Sequence, residues 1–492
     1  MDSNNFDKDL NNNVTPPVQP TQPVMSQPAQ PEVPAQPVQP TAQTPVQPVE
    51  QPVQPVAEAS ESRIDDTMAK VMAESAISAA TTTDKKRNNK MMIILIAVAA
   101  VLVVAMIAIL VIMNLPKSSN NGGSGSGEAQ SGGSSQDDGP VENTELSAGT
   151  VTTTVDGREV TYSAAYLVDG IQATIGSGMY ESAVDNQVVF LVVNGGSLTI
   201  SGEVTINKAG STDFPGQGDD YSFYGLNSAV VVVGEGSMVA IESGVTITTA
   251  ASGANAVVAV NGGEAAVTDA TIRTSGNGSR GLHATFGGSI VAGNTDINTQ
   301  GASSAALATD RGEGTVVAND MVLATEGAGS PLIYSTGEIK VGSSTGTANG
   351  AQIAVVEGKN SVEISSCDFS TNGIGNRNNV DNAAVMIYQS MSGDASEGTG
   401  SFVATDSTFT ILPSSSVYTT TPFFFVTNTM ADITLTDVKA NFYQDGYFVL
   451  ASGTNEWGTP GANGATVTIS ANGLDATNQN IGVDEISSVT GL

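Results

Sequence analysis

From Gln187 to Ser470 the chain is written in short alternations of apolar and polar residues separated by glycine corners. The clearest stretch opens with Val230-Val231-Val232-Val233, turns at Gly234-Glu235-Gly236, and resumes as Met238-Val239-Ala240-Ile241. After Gly244 it closes with Val245-Thr246-Ile247-Thr248. The same order recurs from Val257-Val258-Ala259-Val260, from Leu282-His283-Ala284 and from Leu307-Ala308-Thr309. The last glycines of successive corners, Gly236, Gly263, Gly288, Gly314 and Gly337, stand 27, 25, 26 and 23 residues apart. Three short alternating segments in a period of about 25 residues, with no helical spacing, predict an all-β solenoid, a right-handed parallel β-helix. Val, Ile, Leu and Ala would point inward and Thr, Ser, Asp and Asn outward. Asn-Gly, Gly-Gly and Gly-Glu-Gly would supply positive-φ corners. A sandwich of hairpins competes with this reading, but its loops would not return the glycines to one fixed register.

The repeat is irregular at its ends. Gly149 to Val168 and Gln187 to Val193 read as first rungs that cap an edge open to aggregation. Phe214 to Tyr221, Asn372 to Asn382, Met391 to Gly400 and the surroundings of Trp457 read as excursions, where function is sought. Later rungs, such as Phe423-Phe424-Phe425-Val426 and Tyr447-Phe448, are more aromatic and predict rings stacked inward. No amphipathic cap is evident before Leu492, which suggests a truncated reading frame or a partner on that edge.

The N-terminal part follows other patterns. Residues 1–60 hold 13 of the 20 prolines and read as a disordered, cytoplasmic Pro/Gln-rich region of polyproline II character. Residues 61–90 read as a short amphipathic and basic juxtamembrane segment. Residues 91–113 are 23 residues without a charge, enough to cross a bilayer core as one transmembrane helix. About 90 residues precede this helix and no cleavage site follows, so it reads as a signal-anchor. Lys85, Lys86, Arg87 and Lys90 before it, against Lys117 alone close after it, place the N terminus in the cytoplasm and the C-terminal β-helix outside the cell. Residues 114–146 read as a flexible Gly/Ser-rich linker spanning on the order of 30 Å, and residues 147–492 as the β-helix.

Charge narrows the functions. The net charge is −32, mostly C-terminal to the apolar segment, which disfavours nucleic acid and anionic lipid. One cysteine, Cys367, excludes a disulfide framework and a multi-cysteine zinc site, and its place in an alternating run predicts a small buried residue.

The rung pattern, as in Val257 to Gly263 and Met386-Ile387-Tyr388-Gln389-Ser390, resembles bacterial surface and secreted proteins of the pectin-lyase-like parallel β-helix kind, including adhesin-like repeats. That resemblance covers roughly residues 185–470 and implies a fold more than an activity. Because the superfold also houses pectate lyases and polygalacturonases, it directs attention to Asp219-Asp220, to His283 and to Asn294-Thr295-Asp296. These fragments stand in the wrong order for a polygalacturonase, and its Arg-Ile-Lys segment is absent. A lyase would call for carboxylates around calcium with a basic residue on a neighbouring rung. Asp269, Asp296 and Asp320 fall at similar repeat phases, with Arg273, Arg280 and Arg311 near in sequence. A solvated row of aspartates is the plainer account of them. A lone histidine supports neither a His-rich metal site nor a catalytic triad.

The sequence therefore predicts a membrane-anchored extracellular β-helix for adhesion, glycan or envelope-protein binding, or surface structure. It assigns no catalytic, cofactor-binding or metal residue, with calcium the one cation in view. The alternative is a polysaccharide lyase or hydrolase acting on acidic glycan, with Asp and Arg clustered beside the Phe214 to Tyr221 loop. Ice binding by threonine arrays at Thr246, Thr248 and Thr271 is a third reading.

Overall fold

The computed structural model describes residues 143–212, 220–375, 382–390, 395–413, 421–443, 446–453 and 464–492. The expected cytoplasmic region, juxtamembrane segment, membrane span and nearly all of the linker lie outside these residues, as does Trp457. Among the described residues no helix is long and apolar enough to cross a membrane.

The described chain winds into three sheets of 13, 12 and 11 strands. Each full rung contributes one strand to each sheet, as Val257–Val260, Glu264–Thr268 and Thr271–Thr274 do in turn. These three sheets are called faces one, two and three. Every pairing between rungs is parallel and in register: Val230, Val257, Leu282 and Leu307 lie one above another, and so do Ile247, Ile272 and Ile297. One continuous apolar core runs inside, and its later part is filled by Phe402, Phe409, Phe423, Phe424, Phe442 and Phe448. Each fully buried aliphatic or aromatic chain contributes about 1.5–3 kcal/mol.

Two corners explain the winding. After face one the chain turns through Asn194-Gly195, Asn261-Gly262 and Phe286-Gly287, all at positive φ. After face two the turn belongs to single residues: Asp269, Asn294, Asp320, Ser343, Ser366, Asp406 and Asp437 have φ between 46° and 56°. Asn and Asp tolerate this left-handed conformation because their short polar chains bond locally. A buried ladder runs beside this second corner. The Ser344 hydroxyl accepts from Met321 N–H at 2.9 Å, Cys367 Sγ accepts from Ser344 N–H at 3.4 Å, and the Ser407 hydroxyl accepts from Cys367 N–H at 3.1 Å. Cys367 thus takes a hydroxyl's place in the ladder, and burial pushes its thiol up to about 12.

A hairpin stands at the N-terminal end of face one. Gly149–Val155 pairs antiparallel with Arg158–Asp169, the first strand of face one. This hairpin lies across the outer side of face one, where Val155, Val160 and Tyr162 pack with Leu191, Val231 and Val258. It reaches the fourth rung, where the Asn261 carboxamide donates to Thr154 O at 3.2 Å. Face one is therefore apolar on both sides here, and strict alternation fails: Val230–Val233 and Val257–Val260 are buried at every position.

Candidate functional site

The outward side of face one carries most of the buried ionisable groups. A short helix, α1 (Asp220–Phe223), comes down on it and leads into Tyr224 and Leu226, which join the hairpin's apolar layer. Asp220 accepts from Arg158 at 2.6 Å and from Arg311 at 2.7 Å. Phe223 lies under two guanidinium groups, Arg311 at 4.4 Å and Arg280 at 5.6 Å from its ring centre. Thr285 donates to Phe223 O at 2.8 Å, and Tyr224 stacks on Phe286, which holds a φ of 50°.

Beneath this cover Arg280 bonds Ser222 Oγ at 2.6 Å and Asp310 Oδ2 at 2.9 Å. His283 is wholly buried and Asp310 is 3% exposed. His283 Nε2 stands 3.8 Å from Asp310 Oδ2, an ion-pair separation too long for a hydrogen bond, and neither ring nitrogen has a hydrogen-bond partner. Burial, reinforced by the Arg280 charge, takes His283 down to about 4, so the imidazole is neutral at neutral pH. Burial alone would push the Asp310 carboxyl up, but Arg280 and the neighbouring donors hold it below its ordinary value.

Further along face one a second cluster has no cation in it. Glu357, 1% exposed, accepts from the Tyr334 hydroxyl at 2.6 Å, from the Tyr388 hydroxyl at 3.0 Å, and from Ser390. Burial raises the Glu357 carboxyl, with the three hydroxyl donors only partly opposing. Burial and the Glu357 charge drive both tyrosines well above the ordinary phenol range.

The residues singled out in the sequence divide accordingly. Asp220, His283, Arg280 and Arg311 come together, whereas Asp219 lies outside the described residues. His283 does point outward from its strand, but onto a covered surface instead of solvent. Asp269, Asp296 and Asp320 do not stack. Asp269 and Asp320 turn the second corner, whereas Asp296 sits in face three, paired with Thr271 and Val322 and bridged by Arg273 at 2.7 and 3.1 Å. The corner neighbour of Asp269 is Asn294, whose carboxamide donates to it. Thr295 is buried, its hydroxyl 2.9 Å from Gly293 O. Among the described residues no three His, Cys, Asp or Glu side chains are grouped to hold a metal ion.

Asp310, Glu357, Tyr334, Tyr388 and Arg158 escaped the sequence reading. Their signal was positional: Leu307–Asp310 and Ala354–Glu357 each end in an acid where the equivalent strands Val230–Val233 and Val257–Val260 end in valine.

No family model matches the chain, and no curated protein does. Among solved structures it is similar to an alginate lyase from Paenibacillus sp. strain FPU-7, at 12% identity and a TM-score of 0.31, over 65% of this chain and 93% of that one. It is also similar to a TibC-catalyzed hyper-glycosylated TibA fragment, at 14% identity and a TM-score of 0.20, over 67% of this chain and all of that one. Neither likeness bears on the chemistry.

Proposed function

We propose that the protein is a non-catalytic binding rod: a β-helix held outside the cell by the Met91 to Met113 segment, which engages glycan or a neighbouring envelope component along its side. One observation supports this above others. The groups able to do acid–base chemistry on face one, His283, Asp310 and Glu357, are at most 3% exposed, the two acids tied up by Arg280 and by Tyr334, Tyr388 and Ser390. A polymer lying on that face meets their cover. Faces two and three instead offer outward columns of short polar chains in register, among them Thr405, Thr436 and Asn472, and Thr205, Thr246 and Thr271. Columns spaced about 4.8 Å from rung to rung suit a linear polymer. The net charge of −32 favours a neutral or amine-bearing polymer over an acidic one. The threonine column of face three is broken next by Asp296 and Val322, which argues against ice binding.

The clustering of Arg158, Arg280 and Arg311 with Asp220 and Asp310 beside α1 favours one second reading, a polysaccharide lyase whose cover moves aside. A glycan-binding screen on the full chain, with and without calcium and followed by product analysis, separates the two. The binding rod gives saturable retention of intact glycan. Unsaturated or shortened products overturn it in favour of the lyase, and retention of no glycan leaves only a protein partner or a purely structural role.

A further inference from the structure

The first rung differs from the later ones at two corners. Register places Ile171 level with Gly196, Gly263, Gly288 and Gly314, and Val184 level with Gly210, Gly276, Gly301 and Gly327. A Cβ at those glycines would run into the rung before: into Val168 O from Gly196 and Ala259 O from Gly288, and into Ala183 O from Gly210 and Ala251 O from Gly276. Ile171 and Val184 carry side chains there because no rung precedes theirs, face two beginning at Gln172–Ile175 and face three at Gly178–Ser182. Both therefore project from the N-terminal end of the rod, 47% and 57% exposed, with Met179 on its rim at 65%. From there to Tyr443, only Val322 and Met430 among the described large apolar residues are comparably open.

The route of the chain points to what covers this end. Only the 29 residues 114–142 separate Asn143 from the uncharged stretch 91–113. A chain of that length has a root-mean-square span of about 30 Å, which holds this end near the bilayer at an effective concentration on the order of millimolar. A small apolar surface is then enough to dock. Charge selects the lipid. Asp169, Glu181 and Asp185 are exposed in the same rung, and Arg158, engaged by Asp220, is the one basic residue from 143 to 190. Such a rim is repelled by anionic headgroups and complements the outward ammonium of a zwitterionic one.

We infer that the N-terminal end of the rod docks on a zwitterionic phospholipid surface through Ile171, Val184 and Met179. The inference goes beyond glycan binding and rests on the reading of residues 91–113 as the membrane anchor. The test is energy transfer to headgroup-labelled lipid, with the full chain reconstituted in phosphatidylcholine vesicles and a dye on Asn207→Cys in a Cys367→Ser background. Ile171→Asp combined with Val184→Asp should cut the transfer at least about twofold, and so should replacing half of the phosphatidylcholine by phosphatidylglycerol. Both positions are exposed, so the urea midpoint should hold; Met179→Asp, expected to lower the transfer in the same direction, decides the matter if the double variant fails to fold. Transfer indifferent to the substitutions or to phosphatidylglycerol overturns the docking, and if the chain still floats with the vesicles the anchor reading stands. Transfer lost on dilution of the protein among the vesicles shows a second copy on this end and also overturns the docking. A chain that does not float with the vesicles overturns the anchor, and the docking with it.

Discussion

Asp310 and Glu357 end equivalent strands on the same side of the same sheet, and both are buried, yet the protein keeps them in opposite ways. Asp310 has a cation, Arg280, at 2.9 Å, and its carboxyl is held low. Glu357 has three hydroxyl donors and no cation, and its carboxyl is raised. Hydrogen bonds partly offset a buried carboxylate's loss of hydration, and a countercharge within contact adds to them, which at Asp310 outweighs the burial that prevails at Glu357. The rungs beneath α1 carry the ion pair; the later ones carry a network that tolerates a proton.

The contrast breaks most visibly at Arg280. Replacing it with leucine leaves Asp310 buried and uncompensated, an expected loss of about 3–5 kcal/mol in urea denaturation. The double replacement Arg280→Leu with Asp310→Leu should recover most of this. Equal losses in the single and double variants would mean that Arg280 acts by packing on Phe223 instead. At the other site Glu357→Leu removes the acceptor of three hydroxyls and should cost about 1–3 kcal/mol, whereas Glu357→Gln keeps an acceptor and should cost less than about 1 kcal/mol. A Glu357→Gln loss as large as that of Arg280→Leu would show that Glu357 needs its charge.

Acidity sharpens the difference. His283 is lowered from 6.5 to about 4, so its contribution is full above pH 6.5 and is lost as pH falls toward 4. Asp310, also lowered, acts in the same direction at lower pH: its contribution holds above the unfolded carboxyl value and fades below it. Glu357 is raised, and its effect is reversed: stability declines as pH rises from the unfolded carboxyl value through the folded one. From pH 7 to pH 5 the urea midpoint of the unaltered chain should therefore fall relative to that of His283→Leu, while Glu357→Gln gains on the unaltered chain as pH rises. The smallest effect is expected at Cys367→Ser, less than about 1 kcal/mol, because a serine preserves the ladder between Ser344 and Ser407. Labelling of the folded chain with a thiol reagent should be slow until it is denatured.

The rung architecture was legible because its determinants are local. The glycines of the first corner sit at one register, and inward positions are spelled out by alternation. The second corner was not, since Asp269 or Ser343 at positive φ looks like any polar residue until the turn is seen. The candidate site was legible only in pieces. His283, Arg280 and Arg311 drew attention as scarce residue types, whereas Asp310 and Glu357 did not. What unites these residues is a surface buried by segments distant in sequence: Asn261 meets Thr154, and Arg311 meets Asp220. No periodicity within one rung reports such a cover.

Among the described residues the hairpin made by Gly149–Val155 and Arg158–Asp169 comes before every other strand. A ribosome delivers this hairpin before any later rung, and each rung that follows needs only its predecessor as a template, about 25 residues back. Winding can thus keep pace with synthesis, from a hairpin whose apolar side is covered only as Leu191, Val231 and Val258 arrive, and the last open strand is always the newest one.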